Sequence, residues 1–111
     1  MRRAMLFSLF TALMLSTAHA QDAPAMPEFD PRAHCERQNR IMATESAVML
    51  RMCIDNEQRA LNILRKDWDS APPAARRTCL RQQQMTRSTS YFMLNSCIQM
   101  EADATRDIQR R

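Results

Sequence analysis

Glycine is entirely missing from the 111 residues. With it go the phosphate-cradling P-loop, the dinucleotide fingerprint, the G-x-S-x-G nucleophile elbow and the glycine-based hairpin turn. Aromatic residues are scarce, at 5% against 45% hydrophobic residues overall, a balance that suits packed helices better than a β-sandwich or barrel. A strong charge of one sign is lacking as well. Sixteen basic residues face twelve acidic ones, and they are interspersed as on a solvated helical face, with no aromatic-plus-basic platform for nucleic acid. What the chain does have is four cysteines and ten methionines.

Residues 1–20 read as a signal peptide. Arg2-Arg3 precede an apolar stretch from Ala4 to Leu15, and Ala18-His19-Ala20 has the small-x-small pattern of a signal peptidase site. The apolar run is shorter than the ~18 residues that cross a bilayer, and no cysteine follows the cleavage point to carry a lipid. Cleavage after Ala20 takes Arg2 and Arg3 away, leaving fourteen basic residues against twelve acidic. The expected product, 21–111, is one small exported protein of the periplasm or the extracellular space. Residues 21–29 are expected to be a flexible N-terminal segment.

An internal repeat organises the remainder. Shifting the sequence by 44 positions superposes Cys35 on Cys79 and Cys53 on Cys97. The register also matches Arg32/Arg76, Arg37/Arg81, Gln38/Gln82, Ser46/Ser90, Met49/Met93, Leu50/Leu94, Ile54/Ile98, Glu57/Glu101 and Ala60/Ala104. These are eleven identities without a gap between 30–66 and 74–110. Each copy reads as helix, tight turn, helix. Asp30-Pro31 offers a cap and a first-turn proline; Thr44-Glu45-Ser46 supplies side-chain oxygens for a second start. Leu50, Cys53, Ile54, Glu57, Leu61, Leu64 and Trp68 then form one helical stripe. Ser70 through Pro72-Pro73 marks a stop and restart, and 87–90 is the second turn. Fading of the stripe after Ala104 predicts a frayed C-terminus. The fold class is therefore all-α: two disulfide-stapled helical hairpins, 30–69 and 70–111, in one compact domain.

Four cysteines allow three pairings. The midpoints of 35 and 53, and of 79 and 97, fall at 44 and 88, inside the two turns. Antiparallel helices then bring Cys35 level with Cys53 and Cys79 level with Cys97, each about 13 Å from its bend. The nested alternative, Cys35 with Cys97 and Cys53 with Cys79, centres on Lys66 within a helical stripe. The intra-unit bonds are favoured. They supply what a thin core lacks, roughly 3 kcal/mol each in the chain-entropy model, and they agree with export.

Glu57 and Glu101 lie one turn after a cysteine on stripes expected to be buried. Reflection through each turn brings them beside Arg32 and Arg76, which predicts structural Arg32–Glu57 and Arg76–Glu101 pairs rather than catalytic acids. Met42, Met49, Met52, Met85, Met93 and Met100 are thioethers suited to copper(I) in an exported protein. Helical spacing favours them as core filler instead, leaving Met49 and Met93 as an alternative metal pair. Zinc is disfavoured, because C-x-x-C spacing is absent and His34 is the one histidine left after cleavage. Trp68, Tyr91 and Phe92 are candidate partner-binding anchors, with ordinary core the favoured reading.

The segments Cys53-Ile54-Asp55-Asn56-Glu57, Trp68 with Pro72-Pro73, Arg76-Arg77-Thr78-Cys79, Ser90-Tyr91 and Cys97-Ile98-Gln99-Met100-Glu101 resemble a family of small exported, four-cysteine alphaproteobacterial proteins of unknown function. In that family the turn before Ser-Tyr is often glycine-rich; here it is Thr86-Arg87-Ser88-Thr89. The resemblance implies a secreted, cysteine-stapled helical module and supplies no activity. The functional expectation is a binding or structural module without catalysis, cofactor, nucleic acid or integral membrane segment, acting on an unidentified protein partner. A periplasmic chaperone or envelope-stress protein and a methionine-rich Cu(I)-binding protein are the alternatives.

Overall fold

A computed structural model describes residues 23–42 and 45–111. The signal segment 1–20 and the turn residue Thr44 lie outside the described residues. Four helices follow one another: α1 Pro31–Ile41, α2 Ala47–Asp67, α3 Pro73–Thr86 and α4 Tyr91–Arg110. A single 3-10 turn, Trp68–Ser70, joins α2 to α3, and no strand occurs among the described residues.

Local sequence accounts for the boundaries. The Asp30 carboxylate accepts the Ala33 amide at 3.1 Å, with Pro31 opening α1. Ser46 and Ser90 cap α2 and α4 by accepting the amides of Met49 and Met93 at 3.2 and 3.1 Å, each satisfying one orphan N–H of a first turn. α3 starts at Pro73 behind Pro72 and receives no side-chain acceptor. It ends on Arg87, whose φ of 53° places it in the left-handed region. The amide of Ser88 then reaches back to the Gln83 carbonyl at 3.0 Å, closing the helix end. Glycine would take this conformation without penalty; arginine bears a cost of roughly 1–2 kcal/mol.

Cys35–Cys53 ties α1 to α2 and Cys79–Cys97 ties α3 to α4, both with Cα atoms 5.7 Å apart. These are the pairings expected from the turn midpoints. Each hairpin packs within itself, and the two join where α2 lies against α4. The core is built from Ala60, Leu61, Leu64 and Trp68 on one side and Cys79, Tyr91, Leu94 and Ile98 on the other, so the second half of the α2 stripe is the joining surface. Removing the leucine and isoleucine side chains from water contributes about 1.5–3 kcal/mol apiece.

The C-terminus corrects one expectation, and the N-terminal segment makes contacts of its own. Within the segment expected to be flexible, residues 23–29 are held as a strap across the core. Trp68 donates its indole N–H to the Pro24 carbonyl at 3.0 Å. Tyr91 Oη accepts the Phe29 amide at 2.6 Å and donates to the Pro27 carbonyl at 3.2 Å, while the Phe29 and Tyr91 rings lie 5.0 Å apart. The strap has carbonyls free to serve buried donors that apolar neighbours cannot satisfy. The C-terminus, expected to fray after Ala104, remains helical to Arg110. Its last turns carry the i,i+3 pairs Arg106–Asp103 and Arg110–Asp107, which support an exposed helix where core contact has ended.

Candidate functional site

The two hairpins are locked by a buried carboxylate. Glu57, only 3% exposed, projects from α2 onto the start of α4. Its Oε1 accepts the Ser90 hydroxyl at 2.5 Å and the Phe92 amide at 3.4 Å, and its Oε2 accepts the Tyr91 amide at 2.6 Å. An anion at a helix N-terminus meets free N–H groups and the positive end of the helix dipole. That environment offsets the cost of desolvating the charge. Gln83 adds a further tie, donating its side-chain N–H to the Ser90 carbonyl at 2.8 Å.

The expected Arg32–Glu57 pair therefore does not form. Arg32 faces Glu36 one turn along α1 at 3.6 Å, largely in solvent. Nor does Arg76–Glu101: Glu101 is exposed, while Arg76, 6% exposed, sits 5.9 Å from the centre of the Trp68 ring. Reflection through a turn compares residues within one hairpin, whereas Glu57 is placed by the docking of α2 on α4.

Beside this lock the hairpins leave a groove of about 460 Å³. His34 and Gln38 of α1, Met49, Met52 and Asn56 of α2, and Phe92 and Met93 of α4 line it, with Cys53, Glu57 and Ser90 beneath. Met93 also borders an adjoining groove of about 360 Å³ that runs past Met100, so the two form a continuous face. His34 Nδ1 lies 3.2 Å from the Thr89 hydroxyl, which Arg37 also contacts at 2.8 Å. Thr89 thereby fixes α1 against the α3–α4 turn.

The methionines correct the core-packing expectation. Met42, Met49, Met52, Met85, Met93 and Met100 are all exposed, from 47% at Met49 to 78% at Met85. Met49 and Met93, matched in the repeat, are brought to the same groove, and Met52 and His34 join them. The aromatic anchors divide: Trp68 and Tyr91 are buried core, and Phe92 is half exposed at the groove. Flexible, polarizable thioethers around an open groove can mould to an apolar partner or ligate a soft cation. The Cys53 sulfur offers neither nucleophile nor thiolate ligand, being held in its disulfide.

Sequence reasoning missed the Glu57–Ser90 contact and the placement of Arg76 against Trp68 instead of Glu101. A signal for the first existed, since Glu57/Glu101 and Ser46/Ser90 are both repeat-identical; the periodic stripe identifies the face and not what meets it. Among the described residues no group of three or more His, Cys, Asp or Glu side chains gathers as a metal site. No described helix is long and apolar enough to cross a membrane. Compared with family models, with curated proteins and with solved structures, the chain matches none.

Proposed function

We propose that the chain is an exported, non-catalytic binding module of the periplasm or extracellular space, whose working face is the methionine-lined groove between the hairpins. The observation that carries this reading is the exposure of Met49, Met52, Met93 and Phe92 around one groove, on helices cross-linked by two disulfides. Contiguous apolar surface is costly to leave in water unless a partner covers it, and a stapled frame holds that surface ready at a low ordering cost. The partner that fits is an apolar segment of another envelope protein. Disulfides agree with an oxidising compartment, and the resemblance to exported four-cysteine proteins points the same way. Glu57 supports a role without catalysis, because both its oxygens are committed to capping α4. Affinity capture from envelope extract tests the proposal. The wild-type bait should retain a discrete partner that a Met49→Gln/Met93→Gln bait loses; identical capture by both would contradict it. A broad, unselective set of clients would favour the chaperone reading.

A second reading rests on one specific observation: three thioethers and the His34 imidazole line the same groove. Soft thioethers select copper(I), and the Glu57 carboxylate at the floor opposes the positive end of α4. Anaerobic loading should then give one Cu(I) per chain, lost when Met49 and Met93 become Leu. No retained metal would exclude this reading and leave the protein-partner proposal intact.

A further inference from the structure

A second groove, of about 430 Å³, shares no residue with the methionine groove. It lies between the 23–26 stretch of the strap and the α2–α3 corner, and Arg65, Trp68, Asp69 and Arg76 line it. Arg76 is the anomaly there. It is 6% exposed, and its Nε is fully enclosed without a hydrogen-bond partner. Among the described residues no carboxylate forms an ion pair with it, and its guanidinium faces the Trp68 ring. Its repeat equivalent, Arg32, is solvent-exposed and paired with Glu36, so the burial is particular to this corner.

A buried guanidinium is always charged, carries five donors, and is costly unless an anion meets it. Contact with an aromatic face returns only part of that cost. The surroundings add positive potential. Arg76 stands in the first turns of α3, the one helix of the four whose start receives no side-chain acceptor, where a cation opposes the helix dipole. Arg65 contributes a second guanidinium, and Asp69, the one carboxylate lining the groove among the described residues, pairs with neither arginine.

We infer that this groove is a binding site for a small oxyanion, a carboxylate or phosphate group, held by Arg76 and Arg65 beside the face of Trp68. The planar fork of a guanidinium matches two oxygens of such a group. Arg76 is the anchoring donor, Arg65 the exposed second donor, and Asp69 limits the affinity. The inference is independent of the proposed working face, since the two grooves are separate.

Trp68 is the only tryptophan and reports directly on the site. The disulfide-intact protein is titrated with acetate and with inorganic phosphate at constant ionic strength, following Trp68 emission; chloride alone is the control. An Asp22→Asn chain is titrated in parallel, so that the carboxylate adjacent in sequence to Ala23 cannot compete. A saturable change with either anion, in either chain, is the expected result, and the preferred anion identifies the ligand group. Arg76→Gln should weaken it at least tenfold and Arg65→Gln, at an exposed position that spares the fold, severalfold. Asp69→Asn should strengthen it. No saturable response in either chain, or unchanged affinity in Arg65→Gln and a folded Arg76→Gln, would overturn the inference.

Discussion

Glu57 on the second helix accepts the hydroxyl of Ser90, the cap of the fourth, at 2.5 Å. The residue that starts one hairpin's second helix is thus held by a carboxylate from the other hairpin. The other carboxylate oxygen accepts the Tyr91 amide, so the lock sets both where α4 begins and how the hairpins dock. Glutamine in place of Glu57 would aim an N–H at a donor and remove a charge-assisted bond. Glu57→Gln should cost about 2 kcal/mol and lower Tm by roughly 10 °C in a domain of this size. The exposed repeat equivalent, Glu101→Gln, should melt as wild type. Unchanged melting of Glu57→Gln would refute the lock.

Arg87 is the one described residue with positive φ, at a helix end where glycine is the usual occupant. Arg87→Gly relieves the clash but gains freedom in the unfolded chain, for a net stabilisation of about 0.5–1 kcal/mol. Urea denaturation with an unchanged m-value would measure it. A destabilised Arg87→Gly would mean that the arginine side chain makes a compensating contact.

Tyr91 connects strap and core through one hydroxyl. Tyr91→Phe keeps the ring packing but strands the Phe29 amide, a loss of about 1–2 kcal/mol. Limited proteolysis should then cut within 23–29 faster than in wild type. Equal cutting would show that ring contacts alone retain the strap.

Each disulfide closes a loop between residues 18 apart. Replacing Cys35 and Cys53 together by Ser should lower stability by roughly 3 kcal/mol, and the Cys79/Cys97 double variant similarly. Peptide mapping without reductant should recover Cys35–Cys53 and Cys79–Cys97. A Cys53–Cys79 peptide would contradict the hairpin architecture.

The hairpins were legible because cysteines equidistant from a turn must meet across it, and because Asp30, Ser46 and Ser90 cap helices by local chemistry. The stripe through Glu57, Leu61, Leu64 and Trp68 was legible as a buried face. Its partner was not: helical periodicity is a property of one segment, and the docking of α2 on α4 is long-range. The same limit explains the methionines. Met49 and Met93 occupy matching positions near the starts of α2 and α4, where spacing resembles that of core residues, yet docking leaves these ends open. Trp68 and Tyr91 went the other way, drawn inside because strap carbonyls satisfy the indole N–H and the phenol hydroxyl.

We propose the methionine groove as the working surface. Site-specific photo-crosslinking tests it most directly, with the photoreactive residue placed at Phe92, half exposed in the groove, and separately at Ile108, exposed far along α4. In living cells or envelope extract the Phe92 position should trap a discrete adduct that the Ile108 position does not. No adduct at Phe92, or the same adducts at both positions, would contradict the account.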